Sequence, residues 1–138
     1  MMIPSKLEAY LHQAAFEEKA AHIYPAEDKE CVAARCAEVI EGFRRTFDRP
    51  AQALFSAPGR TEIGGNHTDH QHGCVVAAAV DLEILAAAAP NESGVIRVLS
   101  QGYPMTEVAL HELEPKPEEV NTSAALIRGM ASRMSAMG

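Results

Sequence analysis

The sequence predicts an α+β fold, and three observations carry that expectation. Apolar residues recur at helical spacing as far as Phe47. From Ala53 the pattern turns extended, in short apolar runs separated by turn chemistry, and near Leu126 the helical period returns. Helices, then strands, then a helix is the order of a sheet backed by helices rather than of alternating βαβ units. The chain has 138 residues. That suffices for one core burying roughly two thirds of the unfolded surface.

Two helices are expected first. Ser5 followed by Glu8 reads as a capping box, and Leu7, Tyr10, Leu11 and Ala14 follow at helical spacing until Pro25. Val32, Cys36, Val39, Ile40, Phe43 and Phe47 form the stripe of a second helix, ended by Asp48-Arg49-Pro50. The stripe is expected to face the core. Ala53-Leu54-Phe55 is a short strand expected to stop at Pro58-Gly59. Residues 74–80 and 82–89 read as consecutive extended segments, although the alanine run also suits a helix. Pro90 to Gly94 is a turn, Val95 to Leu99 a strand with Arg97 outward, and Glu107 to Leu110 a further strand. Pro115 and Pro117 mark a connector. Leu126, Ile127, Met130, Met134 and Met137 then line a C-terminal helix, with the methionines expected in packing. There is no internal repeat and no low-complexity tract. Val75 to Val80 and Val95 to Leu99 are expected to share one sheet.

Composition excludes several classes. Apolar residues make up 47%, aromatic residues 5%, and Trp is absent, so Ala, Val, Leu, Ile and Met must fill the core. A net charge of −7 argues against nucleic acid and against anionic membrane surfaces, which both need a basic face. No apolar run reaches bilayer length, because Asp81 and Glu83 interrupt the longest one. The start Met1-Met2-Ile3-Pro4 leads into charged residues and does not read as a secretory signal. Cys31, Cys36 and Cys74 form no CxxC pair and read as free thiols of a reducing, cytoplasmic setting.

The densest polar cluster runs from Ala57 to Gly73, between two apolar strands. Its glycines and Pro58 let the backbone turn sharply and approach a ligand closely. Arg60, Asn66, His67 and Asp69 supply a cation, an amide, an imidazole and a carboxylate. Such a mixture suits a polyhydroxylated ligand, since a carboxylate accepts from two neighbouring hydroxyls while amide and imidazole donate or accept. A metal site is the rival reading, because His67, Asp69, His70 and His72 make an H-x-D-H-x-H cluster.

Ala57-Pro58-Gly59-Arg60, then Gly65, His67-Thr68-Asp69, Gly73 and Ala78-Ala79-Val80-Asp81 stand in ungapped register with a known signature. That segment resembles the sugar-binding loop of the galactokinase branch of the GHMP kinases, of the form A-P-G-R-x-N-x-I-G-E-H-T-D-Y-x-x-G. The approach from Phe43 to Pro50 is similar to the family's, with Asp48 where glycine is usual. The resemblance spans roughly residues 43 to 133. It implies the N-terminal GHMP-kinase domain (ribosomal protein S5 domain 2-like), a mixed sheet backed by helices over residues 41–138. Residues 1–40 would then be an added helical extension.

The implied activity is ATP-dependent phosphorylation of the anomeric hydroxyl of galactose or a related sugar. Asn66, His67, Thr68 and Asp69 would bind the sugar, and Arg60 would stabilise the transferred phosphoryl group. Ser100 would lie beside the nucleotide, with ATP and Mg²⁺ as the implied cofactors. Asn66, Glu62, Gly64 and His70 depart from the family's glutamate, asparagine, isoleucine and tyrosine, which bears on the choice of sugar. Residues 1–138 contain nothing like the family's Gly/Ser-rich phosphate loop, which cradles phosphates at a helix N-terminus. Two expectations follow: a fragment of a sugar kinase, inactive alone, or a non-catalytic sugar-binding relative.

Overall fold

The longest helix begins where Asp28 can cap it: its carboxylate accepts a hydrogen bond from the Glu30 N–H at 2.7 Å, satisfying a free donor of the first turn. The computed structural model describes residues 6–65 and 69–138, residue 69 for its backbone only. These fall into two compact units, Met1–Ala89 and Pro90–Gly138. The expected division after residue 40 falls inside a helix.

In the first unit the order is α1 (Lys6–Tyr10), α2 (Ala14–Ile23), α3 (Lys29–Phe47), β1 (Ala53–Gly64) and β2 (Val76–Ala88). The single first helix expected from the capping box is broken in two. Leu11, His12 and Gln13 donate backbone hydrogen bonds to residues three positions back, a tight turn rather than a continuing α-helix. The break has a packing reason. Leu11 and Phe16 are both buried, and five positions of unbroken α-helix would have set them about 140° apart around the axis. The α3 stripe lies as expected, with Val32, Cys36 and Ile40 almost fully buried. Asp48 ends the helix in the left-handed conformation at φ 51°. Leu54, Leu85 and Ala87 of the hairpin pack against the core made by these helices.

β1 and β2 form one long antiparallel hairpin, from Ala53 opposite Ala88 to Gly64 opposite Val76. Two expectations are corrected here. β1 runs through Pro58-Gly59 instead of stopping there, and the alanine-rich stretch is a single strand. A two-stranded sheet leaves each strand an open edge, which tolerates a proline that cannot donate.

The second unit holds β3 (Val95–Val98), β4 (Thr106–Ala109) and α4 (Ser123–Met137). Among the described residues β3 and β4 pair only with each other, so Val75–Val80 and Val95–Leu99 do not share a sheet. Both described sheets are antiparallel, and the α+β class stands without the mixed sheet. Pro90 stops the chain after β2, and Asn91 redirects it: its Oδ1 accepts from the Ser93 N–H at 2.9 Å and its Nδ2 donates to the Val95 carbonyl at 3.2 Å.

The expected packing of the Met stripe on α4 is also corrected. Leu126, Met130, Met134 and Met137 are exposed by 60–72% of their surface, whereas Arg128 on the same helix is 4% exposed. Arg128 Nε and Nη2 donate to the two Glu119 carboxylate oxygens at 2.8 and 2.6 Å, and Nη1 donates to the Glu112 carbonyl. This fork fixes the helix's rotation. Residues two positions from Arg128 lie about 200° around the axis, so Leu126 and Met130 must face away from it.

Candidate functional site

The polar loop leaves the far end of the β1–β2 hairpin, and the sheet is distorted where the signature begins. Pro58 pairs with Glu83 and Arg60 with Ala79, so Val80, Asp81 and Leu82 stand against the single residue Gly59. That is a bulge on β2, and it crowds Gly59: a Cβ there would lie 3.1 Å from the Leu82 carbonyl oxygen and 3.2 Å from Val80 Cγ2. A second irregularity between Glu62 and Gly64 leaves Ile63 unpaired on β1. Gly65 then closes the strand at φ 110°, and any Cβ would sit 2.6 Å from the Cys74 carbonyl oxygen. Glycine is therefore required at the loop's base by conformation and by space alike.

Arg60 is exposed on β1, ahead of the loop, and among the described residues it has no ion-pair partner. Asp69 opens a short 3-10 turn, Asp69–Gln71, and His72 follows at φ 62°. Arg60 and the Asp69 backbone thus belong to one end of one hairpin. Asn66, His67 and Thr68, the other expected sugar ligands, lie outside the described residues, as does the side chain of Asp69. Ser100 lies in the second unit, exposed in the turn between β3 and β4, where its carbonyl accepts the Tyr103 N–H at 3.0 Å. The metal reading involves His67 and the Asp69 side chain, also outside the described residues. Among the described residues no group of three His, Cys, Asp or Glu side chains could hold a metal ion.

Behind the distorted strand sits a polar cluster that the sequence did not announce. The Glu83 side chain is 7% exposed on the core-facing side of β2. Tyr24, at the end of α2, and Ser56, on β1, both donate their hydroxyls to its Oε2. Arg35 of α3 donates from Nη2 to Glu83 Oε1 at 2.8 Å and from Nη1 to Glu27 at 2.7 Å. The guanidinium centre also lies 5.2 Å from the Tyr24 ring centroid. Burial alone would raise the Glu83 carboxyl, but the hydrogen bonds from Ser56, Tyr24 and Arg35 outweigh it and hold it below the usual range. Burial and the adjoining Glu83 push the Tyr24 phenol up. Glu83 entered the sequence reading only as a charge interrupting an apolar run. No local signal marked it: between Leu82 and Ile84 a strand of period two would turn the carboxylate outward, whereas the hairpin exposes that apolar pair and buries Glu83.

A family model described as the galactokinase galactose-binding signature matches residues 41–90. A galactokinase of Lacticaseibacillus casei and one of Lacticaseibacillus paracasei are each 37% identical over 67 residues, which is 49% of this chain and 17% of each relative. The chain therefore spans about a sixth of the length of these curated relatives. No solved structure matches it.

Proposed function

We propose that this chain, whose residues 41–90 match the galactokinase galactose-binding signature, supplies the sugar-recognition loop of an ATP-dependent kinase acting on the anomeric hydroxyl of galactose or a close relative. The observation that carries this reading is the ungapped signature seated where the hairpin carries its two register shifts, between Pro58 and Arg60 and between Glu62 and Gly64. Gly59 and Gly65 occupy positions that crowd out a side chain, and Arg60 projects between them.

In this reading Asn66, His67, Thr68 and Asp69 take the sugar hydroxyls, and the Asp69 carboxylate accepts from two neighbouring ones. Arg60, permanently charged, faces the oxygen that receives the phosphoryl group. The Asn66 amide in place of the family's glutamate is a weaker acceptor with an added donor, which loosens the demand for galactose itself. A cytoplasmic setting belongs to the same proposal.

ATP and Mg²⁺ belong to the same proposal as cofactors of the whole kinase; in this chain Ser100 stands in an exposed turn of the second unit. The part proposed for this chain is binding and orientation of the sugar, and the 138 residues alone are expected to release no ADP in a coupled assay with galactose.

Calorimetric titration of galactose into the chain tests the reading directly. Asp69→Ala should weaken galactose binding by at least about tenfold, the loss of charge-assisted hydrogen bonds worth roughly 1.5–3 kcal/mol each. His70→Ala should leave the affinity within about twofold, on the reading of a solvated loop residue. If Asp69 merely satisfies the turn's backbone, Asp69→Ala will lower the Tm and leave galactose affinity unchanged, and the sugar-loop assignment fails.

A further inference from the structure

The β1–β2 hairpin has two unequal halves. Near its base, Leu54, Leu85 and Ala87 pack against the helical core. From Phe55 to Gly64 every residue of β1 is exposed, so the half that carries Arg60 and the loop projects beyond the core. The Glu83 cluster lies at the boundary. Glu83 pairs with Pro58, the last register partner before the three-to-one bulge over Gly59.

The donors that hold Glu83 come from three elements: Tyr24 from the end of α2, Arg35 from α3 and Ser56 from β1. Arg35 is in turn held by Glu27, in the turn between α2 and α3. Tyr24, Glu27 and Arg35 all precede the matched segment 41–90, whereas Ser56 and Glu83 lie inside it. A buried carboxylate so fully engaged has one strongly preferred position, and the strand carrying it is fixed at that point.

We propose that Tyr24, Arg35 and Ser56, acting through Glu83, are positioning residues: they fix the strand register at the bulge and thereby aim Arg60 and the sugar loop beyond it. The helical segment is then part of the recognition apparatus rather than an appendage to it. Leu82 and Val80 leave no room for a side chain at Gly59, and Pro58 pairs directly with Glu83, so a shift at Glu83 reaches Gly59 through the strand register. Arg60 is the next residue. The functional half of this inference rests on the sugar-loop reading above, while its structural half does not.

Two measurements on the 138-residue chain separate those halves, both made well below the Tm of every variant. The first records the backbone amide resonances of Gly59, Arg60 and Ala79, with the cross-strand contacts between Arg60 and Ala79. Tyr24→Phe keeps the ring in the core and deletes one donor, and Glu83→Gln keeps the shape and deletes the charge. Both should displace those resonances. The second is galactose affinity, which should weaken about tenfold in both variants, the scale of losing one hydrogen bond to a charged group. Ser56→Ala should behave like them, and Ser56→Thr, which restores the hydroxyl, should recover wild-type affinity. A lowered Tm with unmoved Gly59 and Arg60 amides and unchanged affinity would reduce the cluster to a staple and overturn the proposal. If the wild-type chain binds no galactose, the sugar reading fails by itself. The register claim is then decided by the amide resonances alone.

Discussion

Two residues on either side of β1, Asp48 and Gly65, show how a single backbone angle constrains this chain. Gly65 holds φ 110°, and a Cβ there would lie 2.6 Å from the Cys74 carbonyl oxygen and 2.7 Å from Val75 Cα. Neither neighbour can move cheaply, since both are backbone atoms of the segment leading directly into β2. Gly65→Ala should therefore lose about 1–3 kcal/mol in a denaturant melt. It should also abolish galactose binding in titration, because the loop's base cannot close. Asp48 is the milder case. Its φ of 51° is one that glycine adopts without steric cost, and Asp is among the few other residues that enter the left-handed region readily. Asp48→Gly is expected to raise the Tm slightly, whereas Asp48→Val should cost about 1–2 kcal/mol, as a β-branched side chain meets the following carbonyl. The sequence shows both residues. That Gly65 is irreplaceable follows only from what Cys74 and Val75 do across the loop.

Among the elements, the helices were the more legible. α3 was readable from its stripe and its stop, because burial of Val32, Cys36 and Ile40 at helical spacing is a local pattern. α4 was readable as a helix but not in its rotation. Its apolar residues suggested the buried face, yet the Arg128 fork onto Glu119 turns that face outward. The β1–β2 hairpin was read too short, since Pro58-Gly59 is turn chemistry in isolation and becomes strand only opposite the β2 bulge.

The same hairpin gives a pH prediction through Glu83, whose folded pKa is depressed. A depressed carboxyl contributes stability that is present above its unfolded value of about 4.3 and is lost as pH falls through the lower folded value. Tyr24 has the opposite sense, with a raised pKa, so its contribution persists below about 10 and is lost as pH climbs through the folded value. Thermal melts should accordingly show a plateau between these limits and a decline on either side. Glu83→Gln should flatten the acid decline, and Tyr24→Phe the alkaline one. Equal slopes in wild type and both variants would contradict the assignment.

At the scale of the whole molecule, each unit presents apolar surface to solvent. Leu82 and Ile84 are 76% and 74% exposed on the outer side of the first hairpin, and the α4 stripe is exposed in the second unit. Contiguous apolar surface of this kind, beside open strand edges, binds hydrophobic dyes and favours self-association. The 138-residue chain is therefore expected to enhance ANS fluorescence while folded, and Leu82→Ser with Ile84→Ser should reduce that signal without loss of helical circular dichroism. Unchanged dye binding would show that this face is covered in solution. By itself the sequence determined the α+β class, the course of α3 and the match of residues 41–90 to the galactose-binding signature. Those features are written in local periodicity and in an ungapped run of residues whose chemistry needs no distant partner. The tertiary structure decided the rest: two separate antiparallel pairs, the rotation of α4, and the joining of Tyr24, Arg35, Ser56 and Glu83. Each depends on where residues far apart in the chain meet. A buried charge must find its partners wherever the fold places them, so its neighbours cannot be read from spacing along the chain.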